Sequence, residues 1–355
     1  MIKIIQRRKV WFALSSFLTI VSIFALASWG LRLGIDYTGG SMMEVSFNEN
    51  KLESQDITDV FNELDLGEAK VQFSGDNDAF LRFKEVDETT HQSILTALNK
   101  KTADKAGANT ETGAAETAET PAEDAAAEPI QVETQNSEGE DVTIKAEDAA
   151  IVSAADEKKY VSEKSFDSIG PVVGSELQTT TVWAILLAII GIITYIAWAF
   201  RKVSYPVSSF KYGLCATIAL SHDIIITAGV FSVLGHLYGV EIGATFLAAA
   251  LAILGYSVND TIVVFDRTRE NLLRGKMSDF EDTVNYSVNE TLARSINTSF
   301  TTLLMLFVLY LFGGASIQTF VLALIVGIGF GTYSSIFIAS PLLVTWQHYD
   351  MKKKK

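Results

Sequence analysis

The chain has 355 residues, 48% of them hydrophobic, with a mean hydropathy of +0.25 and yet a formal net charge of −14. No uniform soluble or membrane class carries both, so the composition divides by region: residues 31–180 hold 12 Lys or Arg against 32 Asp or Glu, and the rest of the chain holds 16 against 10. The acidity belongs to one soluble insert in a slightly basic membrane body, and the lone Cys215 excludes a disulfide framework or a cysteine-based metal site.

Lys3, Arg7, Arg8 and Lys9 precede an apolar run from Val10 to about Leu33, long enough to cross ~30 Å of hydrocarbon. Ala25-Leu26-Ala27 has the form of a leader cleavage site, but the run exceeds the usual leader core of about 7–15 residues. Residues 1–33 are therefore assigned to a cytoplasmic N-terminus and a first span. GIDYTGG follows at Gly34, a glycine-rich exit turn in which Asp36, an acid at the boundary, asks for more explanation than the glycines.

Residues 34–180 form the soluble insert. Met43, Val45 and Phe47 alternate as in a strand, Gln55 to Leu66 has helical spacing, Lys70–Phe73 and Ala79–Val86 are further strands, and His91–Leu98 is helical. Residues 102–158 are dominated by Ala, Glu, Asp and Thr, too poor in large apolar side chains to offset ordering entropy, and are expected to be a disordered insertion. With a last strand over Tyr160–Phe166, the folded parts (41–101 and 159–168) read β-α-β-β-α-β, a small α+β ferredoxin-like domain.

Gly170-Pro171 punctuates the return to the membrane. The membrane body, residues 181–346, carries spans over Thr181–Phe200, Tyr212–Leu234, Ile242–Phe265, Leu292–Phe312 and Phe320–Trp346, with a packed loop helix over Met277–Asn289 and a basic tail at 347–355. The fold class is thus an α-helical polytopic membrane protein with six transmembrane helices and the α+β domain between helices 1 and 2. Positive charge gathers at Lys3–Lys9, at Arg201, Lys202 and Lys211, at Arg267–Lys276 and at Lys352–Lys355, while the loops 235–241 and 313–319 contain none. Both termini are therefore expected in the cytoplasm and the insert outside.

No G-x-x-x-x-G-K-[ST] loop is present and Gly255-Tyr256-Ser257 is not a nucleophile elbow, so no enzyme activity and no cofactor is expected. His222 and Asp223 are adjacent, hence about 100° apart on a helix, which argues against a metal pair. The chemistry rests instead on Asp260, in GYSVNDTIVVFDRTREN at Gly255, because an ionised acid inside a span costs on the order of 2.5 kcal/mol or more. Arg294 on the next span falls at similar depth. The pair reads as a register-fixing ion pair, as an arginine snorkelling away from an unpaired acid, or as a proton or ion relay in which Asp260 changes charge as Arg294 approaches. Asn259 and Thr298 are candidate lining residues beside Ser295, Ser299, Thr301 and Thr302, and Asp223 is a second intramembrane acid whose partner is either His222 or a group on another chain.

GIDYTGG, FDSIGPVVG at Phe166, GYSVNDTIVVFDRTREN, NETLARSINTSFTTLL at Asn289 and GTYSSIFIASPLL at Gly331, in that order, resemble the SecF family of the SecD/SecF group, in the resistance-nodulation-division superfamily. The resemblance implies a multi-pass subunit of a bacterial inner membrane whose Asp260 and Arg294 match the family's functional acid and arginine. It also implies partners: SecD, the SecYEG channel, exported unfolded polypeptides and membrane lipids, with no nucleic acid. The implied activity is use of the proton or sodium gradient to promote protein export. The long acidic insertion departs from the family pattern. The alternatives are a small-molecule half-transporter of the same superfamily and a structural scaffold without ion coupling.

Overall fold

The computed structural model describes residues 1–48, 51–67, 69–74, 77–110, 134–135, 141–142, 160–200, 207–277 and 279–353. They fall into two compact units, Met1–Gly39 with Ile169–Lys355, and Gly40–Ser168.

In the smaller unit, β1 (Gly40–Phe47), β2 (Lys70–Ser74), β3 (Asp78–Phe83) and β6 (Val161–Ile169) form one sheet in the order β2-β3-β1-β6. β3 runs antiparallel to both β1 and β2. Alternation does the work expected of it: Met43, Val45, Phe47, Ala79, Leu81 and Phe83 face one core, closed by Ile57, Val60 and Phe61 of α3 (Ser54–Glu63) and by Ile94 and Leu98 of α4 (Glu88–Thr110). A two-residue ribbon pairs β4 (Thr134–Gln135) with β5 (Asp141–Val142). The rest of the predicted insertion, residues 111–133, 136–140 and 143–158, lies outside the described residues.

The helix α4 runs twelve residues past the predicted Leu98, because its extension has a purchase on α3. Thr102 is buried, Lys101 reaches Glu63, and Lys105 Nζ lies 2.6 Å from Asp56 Oδ2. Asp56 also accepts from the Glu53 backbone N–H at 3.0 Å, closing a capping box at the start of α3. The Lys105 ammonium first, and then that N–H, hold the Asp56 carboxyl below its usual range. A depressed folded value means a contribution present above the unfolded pKa of ~3.9 and lost as pH falls through the folded one. Hydrogen exchange should therefore show the amides of α3 losing protection below about pH 4 in the native chain. Asp56→Ala should lower that protection by about 1 kcal/mol at neutral pH and abolish its acid dependence.

Among its described residues the larger unit holds six helices long and apolar enough to cross a membrane. The first is α1 (Arg8–Trp29), ended by Gly30 at φ 67°. After the short α2 (Ile35–Thr38) come α5 (Pro171–Ala199), α6 (Ser209–Tyr238), α7 (Ala244–Leu273) and α8 (Phe280–Phe312). The sixth span is α9 (Ala315–Ser334), a π turn (Ser335–Ala339) and α10 (Ser340–Lys353). Around α6 and α7 pack α1, α5 and α9, with α8 against α7 and α9.

Several boundaries differ from the hydropathy reading. α5 begins ten residues before Thr181, with Pro171 at its first position, where a missing N–H costs nothing. The loop helix expected over Met277–Asn289 is the first half of α8: Phe280, Val284 and Val288 are buried and the helix continues without a break, started by Asp279 accepting from the Glu281 N–H. The sixth span is not one regular helix. Pro341 has no N–H and its ring crowds the carbonyl of Phe337, and the chain widens into a π turn just before it. Arg201 and Lys202 lie outside the described residues.

Candidate functional site

Asp260 belongs to the buried stripe of α7, with Ser257, Thr261, Val264 and Thr268, and is 8% exposed. Its Oδ1 accepts from Ser295 Oγ of α8 at 2.5 Å and its Oδ2 from Ser335 Oγ, the first residue of the π turn. Both carboxylate oxygens are thus engaged by hydroxyls on two different spans. Arg294 makes no ion pair among the described residues, and its side chain is exposed. It lines, with Asp260, Tyr256, Asn259 and Thr298, one cavity of about 290 Å³ between α7 and α8. The direct Asp260–Arg294 pair is replaced for a geometric reason. Arg294 and Ser295 are successive on α8 and point about 100° apart, so the rotation that brings Ser295 onto Asp260 turns Arg294 to the cavity.

Asn259 and Thr298 are exposed lining residues, and the Thr298 hydroxyl returns to the Arg294 and Ser295 carbonyls at 2.9 and 3.1 Å. Tyr256 OH donates to Ser299 Oγ at 3.3 Å, and Thr332 Oγ1 to the same atom at 2.6 Å. Asp223 finds its partners within the chain: His222 Nδ1 at 3.0 Å from Oδ1, and Ser257 Oγ and Ser334 Oγ each at 2.7 Å from Oδ2. Sequence reasoning passed over Ser257, Ser334 and Ser335. The available signal was hydroxyls one turn before an intramembrane acid, and a Ser-Ser pair within seven residues of a proline in the last span.

Asp36 stands apart from these residues. Its Oδ2 accepts the Ala244 N–H at 2.6 Å, which caps the start of α7, about 24 Å along the axis from Asp260. Gly34 N–H to Ile242 O and Ile242 N–H to Arg32 O, both 2.9 Å, bind the same junction. A side chain at Gly243 would come within 2.3 Å of Asp36 Oδ2, so the carboxylate is seated directly on the helix end. Asp36→Ala should cost about 1 kcal/mol, while Asp36→Asn, which keeps an acceptor, should cost only a few tenths. Hydrogen exchange at the first amides of α7 reads both. Among the described residues no three His, Cys, Asp or Glu side chains are placed to hold a metal ion.

Among the described residues, six helices long and apolar enough to cross a membrane, a small α+β unit that falls between the first two in sequence, and two buried carboxylates held by hydroxyls of neighbouring helices are the features of a polytopic membrane protein. Residues 150–349 match the family described as protein export membrane protein SecD/SecF, C-terminal, and residues 24–51 match the SecD/SecF GG motif. The chain belongs to the SecD/SecF family. Curated relatives named protein translocase subunit SecF include one from Thermobaculum terrenum, 39% identical over 99% of this chain and 95% of the relative, and one from Anaerolinea thermophila, 33% identical over 98% and 94%. A crystal structure of SecDF from Thermus thermophilus, described as a translocon-associated membrane protein, superposes with a TM-score of 0.68 at 26% identity. That alignment covers 97% of this chain and 38% of the longer one.

Proposed function

We propose that this chain is a subunit of the Sec protein-export machinery that works with SecD and uses the transmembrane proton or sodium gradient to promote translocation and release of unfolded polypeptides through the SecYEG channel. It sits in a bacterial inner membrane with both termini cytoplasmic, and its small unit is an extracytoplasmic ferredoxin-like domain. The family membership and the names of its relatives support the export role.

The observation that carries ion coupling is the environment of Asp260. Among the described residues its two oxygens meet only serine hydroxyls, each able to rotate from donor to acceptor, and the same acid lines a cavity that Arg294 also lines. A proton gained or lost there is answered by a change of hydrogen-bond direction on α8 and at the π turn, without leaving a buried group orphaned. Asn259 and Thr298 line the cavity, while Asp36 holds the far end of α7.

Two measurements test this reading. The chain should co-purify with SecD, and export into inverted membrane vesicles should be stimulated by an imposed gradient and lose that stimulation with an ionophore. Export indifferent to the ionophore would overturn the coupling.

A further inference from the structure

Asp223 is fully buried on α6, and a relay at Asp260 leaves it without a task. Its immediate surroundings are those of a proton acceptor. With Asp223 ionised, Nδ1–H of His222 donates to Oδ1 at 3.0 Å, and the imidazole then presents Nε2 as a bare lone pair. His222 is only 7% exposed and Nε2 is buried with no hydrogen-bond partner. An unsatisfied buried polar atom of this kind costs about 1–3 kcal/mol and calls for an explanation.

The second observation concerns the other side of the carboxylate. Ser334 donates to Asp223 and Ser335, the next residue, donates to Asp260. One dipeptide, at the point where α9 passes into the π turn, therefore holds both intramembrane acids.

We propose that the His222–Asp223 pair is a second proton-binding site of the membrane body, coupled to Asp260 through Ser334 and Ser335. The coupling rests on the reading of Asp260 as a relay. Uptake of one proton at Nε2 gives an imidazolium beside a carboxylate, and transfer of the Nδ1 proton to Oδ1 gives a neutral imidazole beside a carboxylic acid. Either form holds one added proton and breaks no bond other than N–H. When Asp260 changes charge, Ser335 reverses its hydrogen bond, and the adjacent Ser334 transmits the shift of the turn to Asp223.

The ionisable and charged groups on the elements packed about the pair are few. α9 brings Tyr333, whose ring centroid lies 6.5 Å from that of His222 and whose hydroxyl meets Ser15 of α1. α7 brings Tyr256 and Asp260, with Arg294 across their cavity. α1 carries no titratable side chain from Val10 to Trp29. On α5 only Glu176 and Tyr195 titrate, and Tyr195 is 57% exposed, while α10, which also packs on α6, carries His348, Tyr349, Asp350, Lys352 and Lys353, with Asp350 paired to Lys211 near the start of α6.

The test is infrared difference spectroscopy, between acid and alkaline pH, on the full chain reconstituted in lipid vesicles. The chain's 42 Asp and Glu all contribute, so the two intramembrane carboxyls are read by subtracting each variant's difference spectrum from that of the native chain. Asp223→Asn should remove one and Asp260→Asn the other, and Asp260→Asn should displace the midpoint of the remaining Asp223 signal by about one pH unit. The double variant Ser334→Ala/Ser335→Ala should cut that displacement to less than half. His222→Gln, which keeps the carboxylate in place, should remove the imidazole component and so stands in if Asp223→Asn does not fold. A spectrum unchanged by Asp223→Asn and His222→Gln would overturn the second site. An Asp223 signal indifferent to Asp260→Asn would overturn the coupling. Normal gradient stimulation in Asp260→Asn vesicles would instead sink the relay reading, and the Asp223 signal would then be judged by itself.

Discussion

Vesicles carrying Asp260→Asn are expected to export protein at the rate the native vesicles show with an ionophore present, the entire gradient-dependent component being lost. The substitution changes one property and spares the others. Asparagine has the shape of the carboxylate, its carbonyl oxygen still accepts from Ser295, and its amide donates to a Ser335 hydroxyl that turns to accept. Packing and assembly with SecD should survive, with a stability change of about 1 kcal/mol or less. What disappears is the ability to change charge. Arg294→Lys is expected to have the same effect on stimulation by another route: the charge remains, but the planar fork that lines the cavity is replaced by a compact ammonium. The comparison of export with and without ionophore separates coupling from basal export, and co-purification with SecD separates coupling from assembly. Full stimulation in both variants would place the gradient coupling elsewhere than Asp260 and Arg294 and leave these two residues a structural role.

The prominence of Asp260 was legible in the sequence because its cost is set by hydrophobic surroundings, and these are written in the composition of the span. Its partners were not legible in the same way. Whether Arg294 or Ser295 meets the acid depends on the rotation of α8 about its own axis, which is fixed by the buried residues Val284, Val288, Ser295 and Ser299 and their neighbours on other spans. The strands of the small unit followed from alternation because a two-residue period flips every side chain if misread. The π turn left only the trace of Pro341 and a cluster of serines, since a change of hydrogen-bond register has no compositional signature. The extension of α4 to Thr110 escaped notice for a related reason. It is held by Lys101 and Lys105 on α3, contacts between segments that composition places in different classes.

Gly39→Ala and Gly174→Ala should disrupt the membrane body far more than the same added methyl group does at Gly191. Gly39 has φ +74°, and a Cβ there would lie 2.7 Å from Pro171 Cα and 3.0 Å from Pro171 N. At Gly174 a Cβ would lie 2.9 Å from Tyr37 O and 3.1 Å from Gly39 N. The two glycines therefore let the backbone of α2 and the first turn of α5 touch, in an arrangement further tied by Gln178 Nε2 to Tyr37 O at 2.7 Å. Backbone cannot rotate away as a flexible side chain can, so the added methyl must move a helix or be accommodated by strain. For Gly39→Ala the backbone conformation, φ 74° with ψ 166°, is essentially reserved for glycine and adds about 1–3 kcal/mol to an overpacking cost of about 1–3 kcal/mol. Gly174→Ala carries only the overpacking cost. Gly191→Ala, in the same helix α5 but with nothing within 4 Å of the built Cβ, should be neutral or stabilising by up to about 1 kcal/mol. Thermal unfolding in detergent, with hydrogen exchange over residues 34–39 and 171–178, ranks the three. The order Gly39→Ala, Gly174→Ala, Gly191→Ala from most to least destabilised is expected because close backbone approach, rather than helix propensity, sets the need for glycine at this joint. Equal melting of all three variants would mean that α2 and α5 separate without cost, and that these glycines serve chain flexibility instead.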